Sequence, residues 1–286
     1  MVSVRPARGT AWIQVIQGLS THRLRLIGLI VATGILVLYH VTRDDSGVTA
    51  QRGEPHKTIM DASCPVSSIQ SLSKDVLEPK AGSRHMVEPP KGGRLTLVCC
   101  DTTKGSFSAL LHHAWAPRGV ERLVTMIQKG YFSTKVPFFR CTDACQFGLS
   151  ADPQATKEFE TRIEDDPMWL PPGPDHRQND QGVRRYPDGM WTFAGAGPNS
   201  RSNQYVITLQ PNLFMGGGSP WEVPLGEFVG NASFALLSKF YTGYKEKGPS
   251  QATLRHEGVS EQVKEQWPLI DYILSCSIMD EADLKR

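Results

Sequence analysis

An uncharged apolar run near the N-terminus constrains this chain more than any other feature of its sequence. Residues Leu26 to Val41 read LIGLIVATGILVLYHV, sixteen residues without a formal charge. A bilayer span needs about 20 apolar residues, and the flanking arginines can extend the run because their charged ends snorkel to the interface. A buried core helix is the alternative, but it should show a polar face, and His40 lies only at the end of the run. We predict a transmembrane anchor over residues 26–43.

Charge asymmetry predicts how that anchor is oriented. Residues 1–43 contain five arginines and no Asp, Glu or Lys, and the rest of the chain holds 26 basic and 29 acidic residues, a net charge of −3. The positive-inside bias keeps residues 1–25 in the cytosol and places residues 44–286 across the membrane. We therefore expect a single-pass type II membrane protein with its C-terminal domain in the secretory lumen of the ER or Golgi. Import into a mitochondrion or plastid through a transit peptide is the alternative.

The remaining composition is that of an ordinary globular domain. With 21% charged and 40% hydrophobic residues, nothing indicates a nucleic-acid partner, and we expect a monomer. Asn231-Ala232-Ser233 is a candidate N-glycosylation site. Six cysteines allow fifteen pairings, among which the sequence does not choose. If Cys99 and Cys100 lie on a strand, at most one of them faces the core.

The pattern of breakers and apolar residues divides the rest of the chain. Residues 44–93 are rich in Ser, Lys, Pro and Gly, which indicates a stem or linker, with a short helix around Ser67 to Leu77. From Arg94 onward the texture is mainly that of strands. We predict strands over 94–100, 106–112, 136–140, 191–194, 204–209, 225–229 and 270–278, helices from Pro117 to Gly130 and over 232–241, and a long loop with at most a short helix over 150–189.

Several stretches of this second part carry a resemblance to a known family. The stretches TKGSF at 103–107, AP at 116–117, KGYF at 129–132 and PFFR at 137–140 resemble the opening of a cyclophilin. The stretch GMWTFAGAGPNS at 189–200, followed by SNQYVI at 202–207, is similar to the segment that lines a cyclophilin's active groove, and PLGEFV at 224–229 is similar to the strand that follows.

This resemblance implies a fold and a function. The fold is mainly β: a cyclophilin-like eight-stranded antiparallel β-barrel capped by two α-helices, over residues 94–279, with 280–286 as a C-terminal tail and one transmembrane helix before it. The function is peptidyl-prolyl cis-trans isomerase activity on X-Pro bonds of protein substrates, which assists protein folding without a cofactor or metal. By position in the motifs, Arg140 is the catalytic residue, and Gln146, Ala194, Gly195, Ala196, Gln204 and Val206 bind the substrate.

The residue types suit this chemistry. Rotation about a prolyl bond takes its nitrogen out of conjugation, and a guanidinium such as that of Arg140 can donate to that nitrogen and to a neighbouring carbonyl together. Small residues at 194–196 allow a peptide backbone to approach closely and pair strand-fashion.

The sequence also departs from the family where the proline-receiving pocket should lie. Only five residues separate Arg140 from Gln146, two fewer than the family uses. Asp143 and Ala144 then fall where Phe and Met are expected, and Val206 falls where Phe is usual. Losing an aromatic floor can forfeit about 1.5–3 kcal/mol of burial per side chain. A weakened enzyme is therefore an open alternative: a cyclophilin-like module that binds proline-containing segments as a chaperone or scaffold.

Two other functions are less favoured. An anchor, stem and lumenal domain also form the plan of membrane-bound glycosyltransferases, but the Asp-x-Asp motif that commonly holds their metal is absent from the sequence. His112 and His113 beside Cys99 and Cys100 suggest zinc, but neighbouring histidines on a strand face opposite ways, which is poor geometry for one tetrahedral site.

Overall fold

A computed structural model of the protein describes residues 64–171, 186–211 and 219–285. This part of the chain is mainly β, as predicted. The anchor expected over residues 26–43 and the cytosolic segment 1–25 lie outside these ranges, and within them no helix has the length and apolar character to cross a bilayer. The strands are β1 (Gly93–Thr102), β2 (Gly105–His112), β3 (Val136–Pro137), β4 (Arg140–Cys141), β5 (Ala144–Phe147), β6 (Met190–Phe193), β7 (Tyr205–Thr208), β8 (Gly226–Val229) and β9 (Tyr272–Leu284).

These strands form one antiparallel sheet whose two ends lie in the same stretch of chain. The order across the sheet is β3-β9-β1-β2-β8-β6-β7-β5-β4. Only Phe138 and Phe139 separate β3 from β4, and the Phe138 amide donates to the Asp271 carbonyl of one end while the Phe139 amide donates to the Gln146 carbonyl of the other. Residues 136–141 therefore join the two ends of the sheet, and counted as one strand they leave eight in the described chain.

The main helix, predicted from Pro117 to Gly130, packs against this sheet through an apolar face. Helix α2 (Pro117–Gln128) begins with proline in its first turn, where the missing amide proton costs no hydrogen bond. Its residues Val120, Leu123 and Ile127 are all buried in the core cluster, as helical spacing requires. The other helices are α1 (Lys74–Leu77), α3 (Pro153–Glu158), α4 (Asn231–Leu237), α5 (Gln251–Glu257) and α6 (Glu261–Gln266), with 3₁₀ turns at Ile69–Ser71, Tyr131–Thr134 and Pro220–Glu222.

The expected C-terminal tail is instead part of the sheet. Residues 280–284 extend β9 and pair with the first half of β1, from Gly93 to Leu97. The sequence does not predict this strand, because the acidic residues of the stretch suggest a solvated chain end. Opposite them β1 supplies complementary groups: Arg94 donates to the carboxylate of Glu281, and so does the Thr96 hydroxyl at 3.1 Å.

The described part of the predicted stem is fastened to the outside of the sheet. A disulfide joins Cys64 to Cys99, and the Ile69 amide donates to Asp280 at 2.8 Å. Around Ile69 a second apolar cluster covers the outward face of β1, β2 and β8. Cys100 faces the opposite way, into the main core, where it is bonded to Cys276. The prediction that Cys99 and Cys100 face opposite sides is confirmed.

A buried polar cluster also secures this segment. Glu227 of β8 accepts from His85 Nε2 at 3.1 Å, and its second oxygen lies 3.3 Å from Arg84 Nη1. Beside them, His112 stacks on Trp115 with ring centroids 3.8 Å apart. Burial lowers the pKa of His112 to about 3, so the imidazole is neutral in the fold.

We expect His112 to make the fold acid-sensitive. In the unfolded chain His112 is protonated below its ordinary pKa of 6.5, whereas in the folded chain it is protonated only below about pH 3. The unfolded state therefore binds more protons between these values, and stability falls as the pH drops. This loss is about 1.4 kcal/mol per pH unit. His112→Gln should therefore flatten the decline of the unfolding free energy between about pH 6.5 and pH 5, measured by urea titration. Exposed His256→Gln should keep the original slope; identical slopes in all three proteins would refute the assignment.

Candidate active site

A short hairpin carries two polar residues that the sequence places in one site. Strands β4 and β5 pair so that Arg140 lies directly opposite Gln146, and Cys141 lies opposite Cys145. Successive side chains of a strand point to opposite faces. The two cysteines enter the core, where they form a disulfide, and Arg140 and Gln146 therefore point outward. The strand pairing and the disulfide together fix the spacing between the guanidinium and the amide.

The guanidinium of Arg140 is engaged at two of its three nitrogens. Its Nε donates to the carboxylate of Glu246, and its Nη1 lies 3.5 Å from Oε1 of Gln146. Its Nη2 has no hydrogen-bond partner among the residues that the structure describes. The side chain is 51% exposed, so Nη2 remains available to an acceptor on a bound molecule.

Three glutamines continue this network. Gln146 Nε2 donates to Gln204 Oε1 at 3.0 Å, and Gln204 Nε2 donates to Gln251 Oε1 at 3.1 Å. These bonds connect Gln146 on β5, Gln204 just before β7 and Gln251 at the start of α5. Since an amide both donates and accepts, each glutamine orients the next, and Gln146 presents its oxygen to Arg140.

Arg140 opens onto an outward groove of about 470 Å³. A second groove of about 580 Å³ adjoins it and shares Ala194, Ala196 and Gln251 with it. Six of the seven residues predicted to hold or act on a substrate line the first groove, and the seventh, Gln204, lines the second. The first groove is lined by Arg140, Thr142, Asp143, Ala144, Gln146, Ala194, Gly195, Ala196, Val206, Glu246 and Gln251.

Gly195 is the tightest point of the groove wall. A Cβ at this position would lie 2.6 Å from both Cβ and Cδ1 of Trp221, so any larger residue would have to displace the indole. The backbone N–H and C=O of Gly195 form no hydrogen bond within the described chain. The neighbouring amides are engaged: that of Ala194 donates to the Gln204 carbonyl at 3.0 Å, and that of Ala196 to the Ser200 hydroxyl at 2.8 Å. Gly195 therefore offers a free backbone donor and acceptor.

The far end of this wall is fixed by buried charges. Asp165 and Asn199 exchange two hydrogen bonds of 2.9 Å between side chain and backbone. Two residues on, the fully buried Arg201 donates to Asp166 at 2.6 Å. Asp166 also accepts from the amides of Arg118 and Gly119, so it caps α2. The loop 194–200 is thereby tied to the main helix.

The floor of the groove lacks aromatic rings in the described chain. Val206 and Ala144 supply its apolar surface, and Asp143 is exposed at its edge. Two nearby aromatic residues do not replace the missing floor: Phe147 points into the core and is fully buried, and Trp221 lies against Gly195.

The candidate glycosylation site lies apart from the groove. Asn231 is the exposed first residue of α4. Ser233 of the same sequon is buried, and its hydroxyl accepts from the Ser108 amide at 2.9 Å.

Comparison with known proteins adds relatives to this geometry. No family model matches the chain. In fold it is similar to a cyclophilin-type peptidyl-prolyl cis-trans isomerase of Cryptosporidium parvum solved with the dipeptide Ala-Pro (18% identity, TM-score 0.44, 64% of this chain and 99% of the other), and to a cyclophilin of Hirschia baltica (13% identity, TM-score 0.42, 64% and 73%). In sequence it is 27% identical over 129 residues to peptidyl-prolyl cis-trans isomerase-like 1 of Emericella nidulans and 28% identical over 129 residues to that of Aspergillus fumigatus, in each case over 43% of this chain and 70% of the relative.

The chain is a divergent relative of the cyclophilin-type peptidyl-prolyl isomerases. The low sequence identity to these relatives is consistent with the altered floor of the groove. The shortened hairpin between Arg140 and Gln146 is closed by a disulfide, and its tip presents a carboxylate and a methyl group where the family resemblance implies two large apolar side chains.

Three features of the groove were missed by sequence reasoning. Glu246 lies 106 residues from its partner Arg140, and an exposed glutamate among lysines gives no sign of that contact. Gln251 resembles any helix-start residue. Asp166 is one of two adjacent aspartates in a charged stretch, and its buried partner Arg201 cannot be identified from one sequence.

Removing Asp166 should destabilise the fold strongly. Asp166→Ala would remove the nearest carboxylate from the buried Arg201, leaving only Asp165 at 3.4 Å, and would uncap α2, at a cost of about 3–5 kcal/mol in the free energy of unfolding, measurable by denaturant titration. The matched control is Glu164→Ala, which removes an exposed partner 3.3 Å from Arg118 and should change stability by less than about 1 kcal/mol. Equal losses would contradict a stabilising role for the buried pair.

Proposed function

We propose that this protein is a peptidyl-prolyl cis-trans isomerase that acts on X-Pro bonds of protein substrates and thereby assists their folding. The observation that carries the proposal is the guanidinium of Arg140, held from one side by Glu246 and Gln146 with Nη2 open to the groove. The sequence relatives named as isomerase-like proteins agree with this family of activity.

The groove supplies what this reaction needs. The barrier to rotation of a peptide bond is about 18–20 kcal/mol because the amide is conjugated. At the twisted midpoint the proline nitrogen regains a lone pair, which the ground state does not offer. A hydrogen bond from Arg140 to that nitrogen exists only in the twisted state, so it lowers the barrier instead of tightening substrate binding. Neither a nucleophile nor a proton transfer is required.

The rest of the groove positions the peptide for that bond. The free N–H and C=O of Gly195 can pair with a substrate backbone strand-fashion. Gln146 and Glu246 restrict the rotamers of Arg140, which reduces the entropy lost when the twisted bond is gripped. The floor at Val206 and Ala144 buries less of a proline ring than aromatic residues would, so we expect modest affinity for each substrate.

We further propose that the protein works in the secretory lumen as a single-pass type II membrane protein. All six cysteines are paired in three disulfides, and disulfides persist mainly in oxidising compartments. The exposed Asn231 and the apolar run at 26–41 support the same compartment.

Replacing Arg140 should remove catalysis and leave peptide binding largely intact. In an NMR exchange assay on X-Pro peptides, Arg140→Ala should lower kcat/KM by about 10²- to 10³-fold, the usual effect of losing a donor to developing charge. Arg140→Lys should not restore it, because one ammonium cannot reproduce the planar fork of donors.

The control for this pair is Arg94→Ala, which removes a surface arginine paired with Glu281 and should keep the original rate. A wild-type protein that binds these peptides without accelerating their interconversion would contradict the isomerase assignment and leave a binding module in its place.

Asn231 tests the compartment. The chain expressed in eukaryotic cells should carry an enzymatically removable N-glycan, and Asn231→Gln should remove it, visible as a mobility shift on gels. Gln replaces the acceptor at an exposed helix start and leaves the buried Ser233 in place, so the fold is expected to survive. An unglycosylated chain whose cysteines react freely with a thiol reagent would refute lumenal residence.

A further inference from the structure

The charges that line the groove favour one class of substrate. Its charged lining residues are Arg140, Asp143 and Glu246, and its other lining residues are neutral. Arg140 and Glu246 offset each other as an ion pair. The carboxylate of Asp143 has no ion-pair or hydrogen-bond partner in the part of the chain that the structure describes. The groove thus carries an uncompensated negative charge beside its catalytic arginine.

Asp143 is held in place by its backbone. Its carbonyl accepts from the Leu209 amide at 2.8 Å, and the Thr142 amide donates to the Ala144 carbonyl at 3.0 Å across the same tip. The disulfide at the base of this three-residue tip prevents it from opening. The carboxylate therefore remains at the groove edge, where the family resemblance would place an apolar side chain.

Glu246 is also fixed by the turn that carries it. Lys245 forms an isolated bridge to Cys141 of the hairpin, and the Lys247 carbonyl accepts from the Trp267 indole at 2.7 Å. Lys245 and Lys247 lie outside the groove lining. The side chain of Glu246 is 56% exposed, so its carboxylate can bind a second cation while it stays in contact with Arg140.

We propose that the groove selects proline segments that carry lysine or arginine next to the proline; this inference rests on the proposed isomerase function. A substrate cation pairs with Asp143 and with the exposed side of the Glu246 carboxylate, which keeps its contact with Arg140. A substrate carboxylate does the opposite: it is repelled by Asp143 and competes with Glu246 for Arg140. Glu246 and Asp143 are thus specificity-determining residues.

The effect should be measurable but moderate, because both carboxylates face solvent. Exposed ion pairs correspond to roughly two- to fivefold in an equilibrium constant. We therefore expect a peptide with Lys beside proline to exceed its Gln counterpart by roughly two- to fivefold per carboxylate engaged, and a Glu peptide to fall below Gln. At about 1 M salt the Debye length is about 3 Å, and the preference should shrink.

The test uses the full chain with matched peptides that differ only in the residue before or after proline: Lys, Gln or Glu. Affinity is measured by fluorescence anisotropy, and kcat/KM by NMR exchange, each corrected for the peptide's own uncatalysed rate. Asp143→Asn and Glu246→Gln should each reduce the Lys-to-Gln ratio, and together they should bring it near one. Glu265→Gln, on α6 outside the groove lining, should leave the ratio unchanged.

The outcomes separate the two proposals. Peptides that bind in the order Lys, Gln, Glu without any rate acceleration would sink the isomerase function and keep the charge preference. Acceleration of all three peptides to the same degree, or a preference for Glu, would overturn the charge preference alone. Failure to bind any of them would overturn both.

Discussion

The stretch from Val136 to Cys141 is the constraint on which the rest of the structure depends. It pairs with β9 at its beginning and with β5 at its end, so the two ends of the sheet meet there, and the last outward side chain of this stretch is Arg140. Any shift of register by one residue would turn Arg140 inward and Cys141 outward. The disulfide between Cys141 and Cys145 opposes that slip, because it requires both cysteines to face the core. The same strand pairing therefore closes the fold and aims the guanidinium.

Polar contacts replace apolar ones around this guanidinium. A proline pocket with an aromatic floor binds through burial, which contributes about 1.5–3 kcal/mol per large side chain. Here Val206 and Ala144 bury less, and Asp143 buries nothing of a ligand. What the groove offers instead is orientation: Glu246 and Gln146 restrict Arg140, and the glutamine chain restricts Gln146. Orientation affects the barrier more than the affinity, which suits the proposed catalysis of a unimolecular rotation.

The sequence predicts local structure well and distant partners poorly. The helical spacing of Val120, Leu123 and Ile127 predicts helix α2. The alternation of side chains along a strand correctly predicts that Cys99 and Cys100 lie on opposite faces of β1. The extension of β9 through residues 280–284 escapes prediction, because its acidic side chains are satisfied by Arg94 and Thr96 on a strand nearly 190 residues away. Pattern reasoning detects longer apolar faces, whereas this strand combines cross-strand charge pairs and backbone bonds with only two apolar side chains, Ala282 and Leu284, packed on the second cluster.

The same distinction between local patterns and distant partners applies to the candidate site. Arg140, Gln146 and the wall at 194–196 each lie within a short recognisable motif, so they could be named from the sequence. The sequence does not reveal Glu246, Gln251 or the pairing of Asp166 with Arg201. They come from separate segments of the chain, one of them the start of α5, and depend on how those segments fold back.

These later contributions decide what kind of groove the fold presents. The wall at Gly195 and the donor at Arg140 are the features that the family resemblance implies for a peptide-binding cleft. The carboxylates at Asp143 and Glu246 then set its charge, and they sit on a disulfide-closed tip and a turn bridged to the same hairpin. The backbone contacts fix where both carboxylates are attached, and since Glu246 is paired with Arg140, Asp143 is the uncompensated charge of the first groove. If the proposed function holds, substrate charge and catalytic geometry are coupled through a single arginine, because Glu246 contacts Arg140 and lines the same groove.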